Sequence, residues 1–319
     1  MTYLFLIIGF ALLIKGADFF VDGASKMARA FHISPLLIGL TIVAFGTSSP
    51  EATVSIVAAL EGNAGVAIGN VVGSNIFNIT LVVGLTAMIN PLKVDSVTIR
   101  KEIPFTLLAS IALLILISDI SFQLLSENFI TRGDGFILLL FFTIFLYYIF
   151  EVARNNREKI KEDSGANQES SPWGKNIVIT LIGLAGIIIG GDVVVNNATT
   201  IAVSFGMSET LVGLTIVAVG TSLPELITSI TAALKKESEI ALGNIVGSNI
   251  FNILFVLGSA SVIAPLAVEG KIFVDVLLMI LLTVTLLVFS RTSFRIGKQE
   301  GIILTVAYIA YMIFIIMRN

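Results

Sequence analysis

Apolar stretches of about 20 residues, the length a helix needs to cross a bilayer, recur ten times along this 319-residue chain. They lie near 3–30, 33–60, 65–90, 101–120, 134–153, 175–204, 207–234, 239–263, 272–290 and 300–317. One long polar stretch, 154–174 (RNNREKIKEDSGANQESSPWG), divides them five and five. Its composition is that of a flexible, solvated linker. The pattern predicts an all-α polytopic membrane protein of ten transmembrane helices, with a first half at 1–153, the linker at 154–174 and a second half at 175–319. The first and sixth runs are long enough to be tilted. The first run lacks a basic flank and continues past Lys15 and Gly16, so it is expected to be a span and not a cleaved signal.

Composition agrees with that reading. Hydrophobic residues make up 56% of the chain and charged residues 13%, about half the charge of a soluble domain. The net charge of −3 offers no basic face for nucleic acid. The absence of cysteine excludes a disulfide framework and a thiol nucleophile. A single histidine, His32, leaves little scope for zinc or His-based catalysis. With ten spans both termini share a face. Fifteen Lys and Arg residues fall on the linker's face and three on the other, so the positive-inside rule predicts a cytoplasmic linker and termini outside.

Self-similarity at a fixed offset decides the architecture. Residues 16–94 align with 190–268 at an offset of 174 without a gap, and about half the positions are identical. The strongest blocks are GLTIVAFGTSSPE (39–51) against GLTIVAVGTSLPE (213–225), and IGNVVGSNIFNI (68–79) against LGNIVGSNIFNI (242–253). The offset covers five spans. Five is odd, so the second copy enters the membrane inverted. Inverted repeats mark many secondary transporters, whose site lies near the midplane where the repeats meet. Packing alone would preserve apolar volume, not Thr, Ser, Pro, Glu and Asn, which are costly in lipid.

These polar positions form two kinds of surface. In Gly46-Thr47-Ser48-Ser49-Pro50-Glu51, Pro50 has no N–H for the Gly46 carbonyl and disfavours helix at Ser49. Carbonyls around Ala44 to Thr47 are expected to be freed, and in lipid they need a partner such as a cation. Thr47 and Glu51 share a helix face, so the hydroxyls of Thr47 and Ser48 and the Glu51 carboxylate can converge. Gly220-Thr221-Ser222-Leu223-Pro224-Glu225 repeats this motif, with Ala218 matching Ala44. In the next span of each half, Asn70, Ser74 and Asn78, and Asn244, Ser248 and Asn252, form polar stripes. Gly69 and Gly73, and Gly243 and Gly247, are small-residue pairs that allow close helix approach. For Asn70 and Asn244 hydrogen-bond glue between helices is the weaker alternative to ion contact; Ser74, Asn78, Ser248 and Asn252 are read as ion contacts. Every candidate donor is oxygen, the set that hard cations such as Ca²⁺ and Na⁺ prefer. Two carboxylates balance one Ca²⁺, or support two or more Na⁺ with neutral oxygens helping.

At these residues the chain resembles the Ca²⁺:cation antiporter superfamily and, within it, the prokaryotic sodium/calcium exchangers. The paired GTS-x-PE and GN-x-x-GSNIFNI blocks look like that family's alpha repeats. The resemblance implies two inverted five-helix halves, ion sites among spans 2, 3, 7 and 8, and sliding of spans 1 and 6 across that core. It implies that Glu51 and Glu225, with the Thr47 and Thr221 carbonyls, are shared Ca²⁺ ligands. It implies one flanking Na⁺ site at the Ala44 carbonyl, Ser48 and Ser74, and another at the Ala218 carbonyl, Thr221, Ser222 and Ser248. Asn78 matches the family's asparagine at the middle position. Some relatives, including potassium-dependent exchangers, have Asp where this chain has Asn252, which argues against K⁺ dependence. Proton-coupled members carry a glutamate within GN-x-x, where this chain has Val71-Val72 and Ile245-Val246, which favours Na⁺ over H⁺.

The expected function is therefore an antiporter of the cell membrane that exchanges Na⁺ for Ca²⁺ by alternating access, extrudes Ca²⁺, works as a monomer and needs no cofactor. The nearest rival is H⁺-coupled exchange of Ca²⁺ or another divalent cation. A cation channel fits a closed two-carboxylate cage less well, and an intramembrane hydrolase lacks a nucleophile–base pair. Asp18 and Asp192, matched inside spans 1 and 6, are functional candidates by position, though Asp18 can also pair with Lys15. Asp22, matched to Asn196, is a weaker candidate. His32 reads as a solvated loop residue and Trp173 as an interfacial anchor.

Overall fold

The computed structural model describes residues 1–96, 98–123, 126–163, 173–206 and 218–318. Helix α1 (Thr2–Phe31) stops at His32, whose left-handed backbone (φ 57°) returns its N–H to the carbonyls of Ala28 and Arg29. Ser34 then accepts the Leu37 N–H, and Pro35 supplies the preset φ that starts a helix. The next span is two helices, α2 (Pro35–Thr47) and α3 (Ser49–Leu60), bent by 48° where Pro50 interrupts the ladder. After α4 (Ala64–Ile89) come β1 (Leu92–Lys93), α5 (Ile103–Leu116), α6 (Asp119–Gln123), β2 (Phe129–Ile130) and α7 (Arg132–Asp163). The rest comprises α8 (Trp173–Ser204), α9 (Ala218–Thr221), α10 (Leu223–Leu234), α11 (Ser238–Ile263), β3 (Leu266–Ala267), α12 (Gly270–Ser293), β4 (Arg295–Ile296) and α13 (Lys298–Arg318).

The chain is an all-α membrane protein. Among the described residues seven helices are long and apolar enough to span a bilayer, and the bent α2–α3 pair makes an eighth. The expected ten differ from this count in two places. Run 101–120 contains the 14-residue α5, because Thr98–Glu102 is wound as a π-turn and the helix ends at Ile117. Run 207–234 begins with 207–217, outside the described residues, leaving α9 and α10. The expected linker boundary also moves. Helix α7 runs on to Asp163 because 154–163 holds no Gly or Pro and is rich in Arg, Lys and Glu, all good helix formers. Residues 164–172 and the Trp173 side chain lie outside the described residues.

Burial sorts the helices by their polar load. The windows of α11 and α4, which carry the Asn and Ser stripes, are 94% and 72% buried, against 17% for α7 and α13. Polar groups gather at the centre, where partners exist, and Phe136, Tyr147, Ile309 and their like stay on the outside. Glycine allows the closest approaches. A Cβ on Gly243 would sit 2.6 Å from the Leu36 carbonyl, and one on Gly247 2.6 Å from that of Leu40, so α2 lies directly on the α11 backbone. Likewise α1 and α8 are backbone neighbours: a Cβ on Gly16 would lie 2.6 Å from the Ile187 N and one on Gly190 2.6 Å from the Leu13 N. At Gly69 and Gly73 a Cβ would meet nothing within 4 Å among the described residues.

Helices α4 and α11 run antiparallel. The Asn90 amide, after the end of α4, donates to the Ala233 carbonyl just before α11, at 2.7 Å. Strand β1 pairs with β4 at that end, and β2 with β3 at the other. The offset of 174 carries Leu92–Lys93 onto Leu266–Ala267, so repeat-related strands close opposite ends of the bundle.

Candidate ion site

The site forms where the α2–α3 bend and the α9–α10 break face the midpoints of α4 and α11. Pro50 and Pro224 each sit in the first turn of the second helix of a broken span, and Ser48 and Ser222 occupy the breaks with non-helical backbone (ψ 8° and 5°). The breaks turn two serines and two glutamates inward, and Glu51 and Glu225 are both fully buried.

Hydrogen bonds cross the repeat interface reciprocally. The Ser48 hydroxyl donates to Glu225 Oε1 at 2.8 Å, and the Ser222 hydroxyl donates to Glu51 Oε1 at 2.9 Å. Ser222 Oγ also lies 2.9 Å from Ser74 Oγ, and Ser248 Oγ lies 3.5 Å from Glu225 Oε1. Each carboxylate thus spends one oxygen on the opposite half. The other, Glu51 Oε2 or Glu225 Oε2, is buried without a hydrogen-bond partner.

A second pair of oxygens has the same character. The Asn78 amide donates to Asn249 Oδ1 at 3.2 Å, and the Asn252 amide donates to Asn75 Oδ1 at 3.3 Å. These bonds fix which way the amides face, and Asn78 Oδ1 and Asn252 Oδ1 remain buried and unpartnered. Both residues open π-turns, Asn78–Val82 and Asn252–Leu257, a local winding frequent at functional sites. Leaving a buried polar atom unmet costs about 1–3 kcal/mol, and more when it is charged. Four such oxygens, in two repeat-related pairs, are the donor set of a hard cation. Among the described residues no three His, Cys, Asp or Glu cluster as a metal site, so any cage here takes two carboxylates and neutral oxygens.

The other candidates divide. The Thr47 hydroxyl lies 2.9 Å from Asn244 Oδ1, to which it donates, and the Thr221 hydroxyl donates to Asn70 Oδ1 at 3.3 Å. The amides of Asn70 and Asn244 brace Ser55 and Ser229 at 2.9 and 3.0 Å. Asn70 and Asn244 therefore hold helices together, the glue reading, and the Thr47 hydroxyl is committed to them. The expectation that the Ala44 carbonyl is freed needs correcting: it accepts the Ser48 N–H at 3.0 Å and lies 3.3 Å from the Thr47 hydroxyl. Its α2 turn is still wound because Pro50 removes the donor to Gly46, two residues on. At the second break the Ser222 N–H takes the Val219 carbonyl at 3.2 Å; the Ala218 side chain is not described.

Asn75 and Asn249 were not singled out by sequence reasoning, yet they orient Asn78 and Asn252. The available signal was their place in the doubled GSN triplet. The Asp18 carboxylate meets Lys235 Nζ at 2.6 Å, a partner outside its own span. Asp192 and Asn196 are exposed, away from the buried cluster.

The family described as "Sodium/calcium exchanger protein" matches residues 1–151 and 175–317. A protein of Alkalimonas amylolytica that carries the name antiporter CaxA is 43% identical over 97% of this chain and 96% of its own. The sodium/calcium exchanger MaX1 of Methanosarcina acetivorans is 33% identical over 98% of this chain and 97% of its own. Among solved structures, the sodium-calcium exchanger NCX_Mj soaked with Na⁺ and Sr²⁺ superposes with a TM-score of 0.83 at 33% identity, covering 98% of this chain and 97% of that one.

Proposed function

Since the chain belongs to the sodium/calcium exchanger family, we propose that it is a Na⁺/Ca²⁺ antiporter that expels Ca²⁺ by alternating access. Its ten helices form two inverted five-helix halves, with the linker in the cytoplasm and both termini outside. The observation that carries this reading is the quartet of unpartnered buried oxygens on Glu51, Glu225, Asn78 and Asn252. Their two negative charges match one Ca²⁺. Na⁺ ions can replace it by taking the carboxylates together with the hydroxyls of Ser48, Ser74, Ser222 and Ser248, which line the same network. The carbonyls of Thr47, Thr221 and Ala218 complete the proposed ligand set, and the Ala44 carbonyl, which already accepts the Ser48 N–H, can join it only through its second lone pair. One cage that holds either load but not both couples the two fluxes.

The neutral side chain at Asn252 and the valine and isoleucine pairs at 71–72 and 245–246 support Na⁺ as the driving ion. The test is reconstituted Ca²⁺ flux under Na⁺, K⁺ and H⁺ gradients imposed in turn. The expected result is flux with the Na⁺ gradient alone; flux driven by a pH gradient in Na⁺-free buffer would replace Na⁺ by H⁺ in this reading.

A further inference from the structure

Beyond the ion site, the two halves differ at their gates. At the linker end, the C-terminal half of α1 packs on α10 and is tied to the turn between α10 and α11. Lys235 Nζ meets Asp18 Oδ1 at 2.6 Å, Asp22 Oδ1 at 2.5 Å and the Asp18 carbonyl at 2.9 Å, so all three ammonium protons have acceptors. Two residues on, Glu237 accepts the Ser25 hydroxyl at 2.5 Å and lies 3.7 Å from Arg29. Partial burial works against the Lys235 charge, and Asp18 and Asp22 outweigh it, holding the ammonium above the usual lysine range.

The offset of 174 places Glu61 opposite Lys235, Asn63 opposite Glu237, Asp192 opposite Asp18 and Asn196 opposite Asp22. The same docking of α8 on α3 would bring Asp192 towards Glu61, acid against acid. On that face α3 and the start of α4 carry an open groove of about 310 Å³, lined by Thr53, Val57, Ala58, Glu61, Asn63 and Val66.

We propose that Lys235 and Glu237 latch α1 against the α10–α11 turn, that no equivalent latch forms among the described residues of the opposite face, and that the exchanger therefore rests open on the face away from the linker. The inference rests on the alternating-access reading above, and Lys235 acts as a positioning residue without touching the ion.

Because the chain has no cysteine, single-cysteine labelling reads each face separately. Thr231→Cys reports the linker face and its repeat mate Val57→Cys the other. In reconstituted vesicles, Lys235→Ala is expected to raise maleimide labelling of Thr231→Cys by about fivefold and to lower that of Val57→Cys. Lys235→Arg should leave both near the parent rate. Glu61→Lys, which gives Asp192 a partner, should shift labelling in the same direction as Lys235→Ala. Unchanged labelling in Lys235→Ala, Lys235→Arg behaving like Lys235→Ala, or no shift in Glu61→Lys each overturns the latch. Ca²⁺ flux in the same vesicles separates the two claims: absent flux under every gradient refutes antiport, whereas the labelling pattern alone decides the latch.

Discussion

Glu51 and Glu225 each lend one oxygen to a serine of the opposite half and keep one bare, and Asn78 and Asn252 keep a bare carbonyl each. This division of labour makes the supporting residues testable apart from the ligands. Asn249 holds the Asn78 amide by its nitrogen end. Asn249→Ala frees Asn78 to turn that nitrogen towards the ion. A lost outer contact costs about 10–100-fold in metal affinity, so half-saturating Ca²⁺ should rise by about that factor while the protein still folds. An unchanged value would show that the Asn78 orientation does not matter. The acids and serines were legible in sequence because a doubled motif retains them where lipid penalises them. Asn75 and Asn249 were not, because an asparagine that steers another asparagine looks, in sequence, like any polar residue of the same stripe.

At the level of elements, the breaks in the spans matter more than the spans. Pro50 was readable as an interruption. The bend of 48° and the π-turns that begin at Asn78 and Asn252 were not, because winding depends on packing as well as on local residue type. Pro50→Ala restores a donor for the Gly46 carbonyl and lets α2 continue into α3. Ca²⁺ binding by isothermal titration should weaken markedly while the helical content stays constant; undiminished affinity would mean that the bend is not what places Glu51. Glycine at 243 has a different role. A leucine there would drive its Cβ into the Leu36 carbonyl, and overpacking of this kind costs about 1–3 kcal/mol or more. The melting temperature in detergent should fall clearly for Gly243→Leu, and an unshifted melt would show that α2 and α11 can part without loss.

Over the whole molecule, the repeat offset of 174 carries Leu92–Lys93 onto Leu266–Ala267 at the opposite end of the bundle. Helix number was less legible. The run at 101–120 is rich in apolar residues, yet Thr98–Glu102 winds as a π-turn and α5 ends after 14 residues. The ends of the bundle are closed by β1 with β4 and β2 with β3, so loops at 93 and 128 should lie on opposite membrane faces. Lys93→Cys should be labelled by an impermeant reagent from the cytoplasmic face alone and Asn128→Cys from the outer face alone. Labelling of both from one side would refute the proposed sidedness.

The most direct test of the site is Na⁺-gradient-driven ⁴⁵Ca²⁺ flux in proteoliposomes containing equal amounts of the parent protein, Glu51→Gln and Glu225→Gln. Glutamine keeps the shape and one carbonyl oxygen but removes the charge that balances the ion. Flux in each variant should fall by about two orders of magnitude or more. Parental flux in either one would contradict a shared two-carboxylate cage.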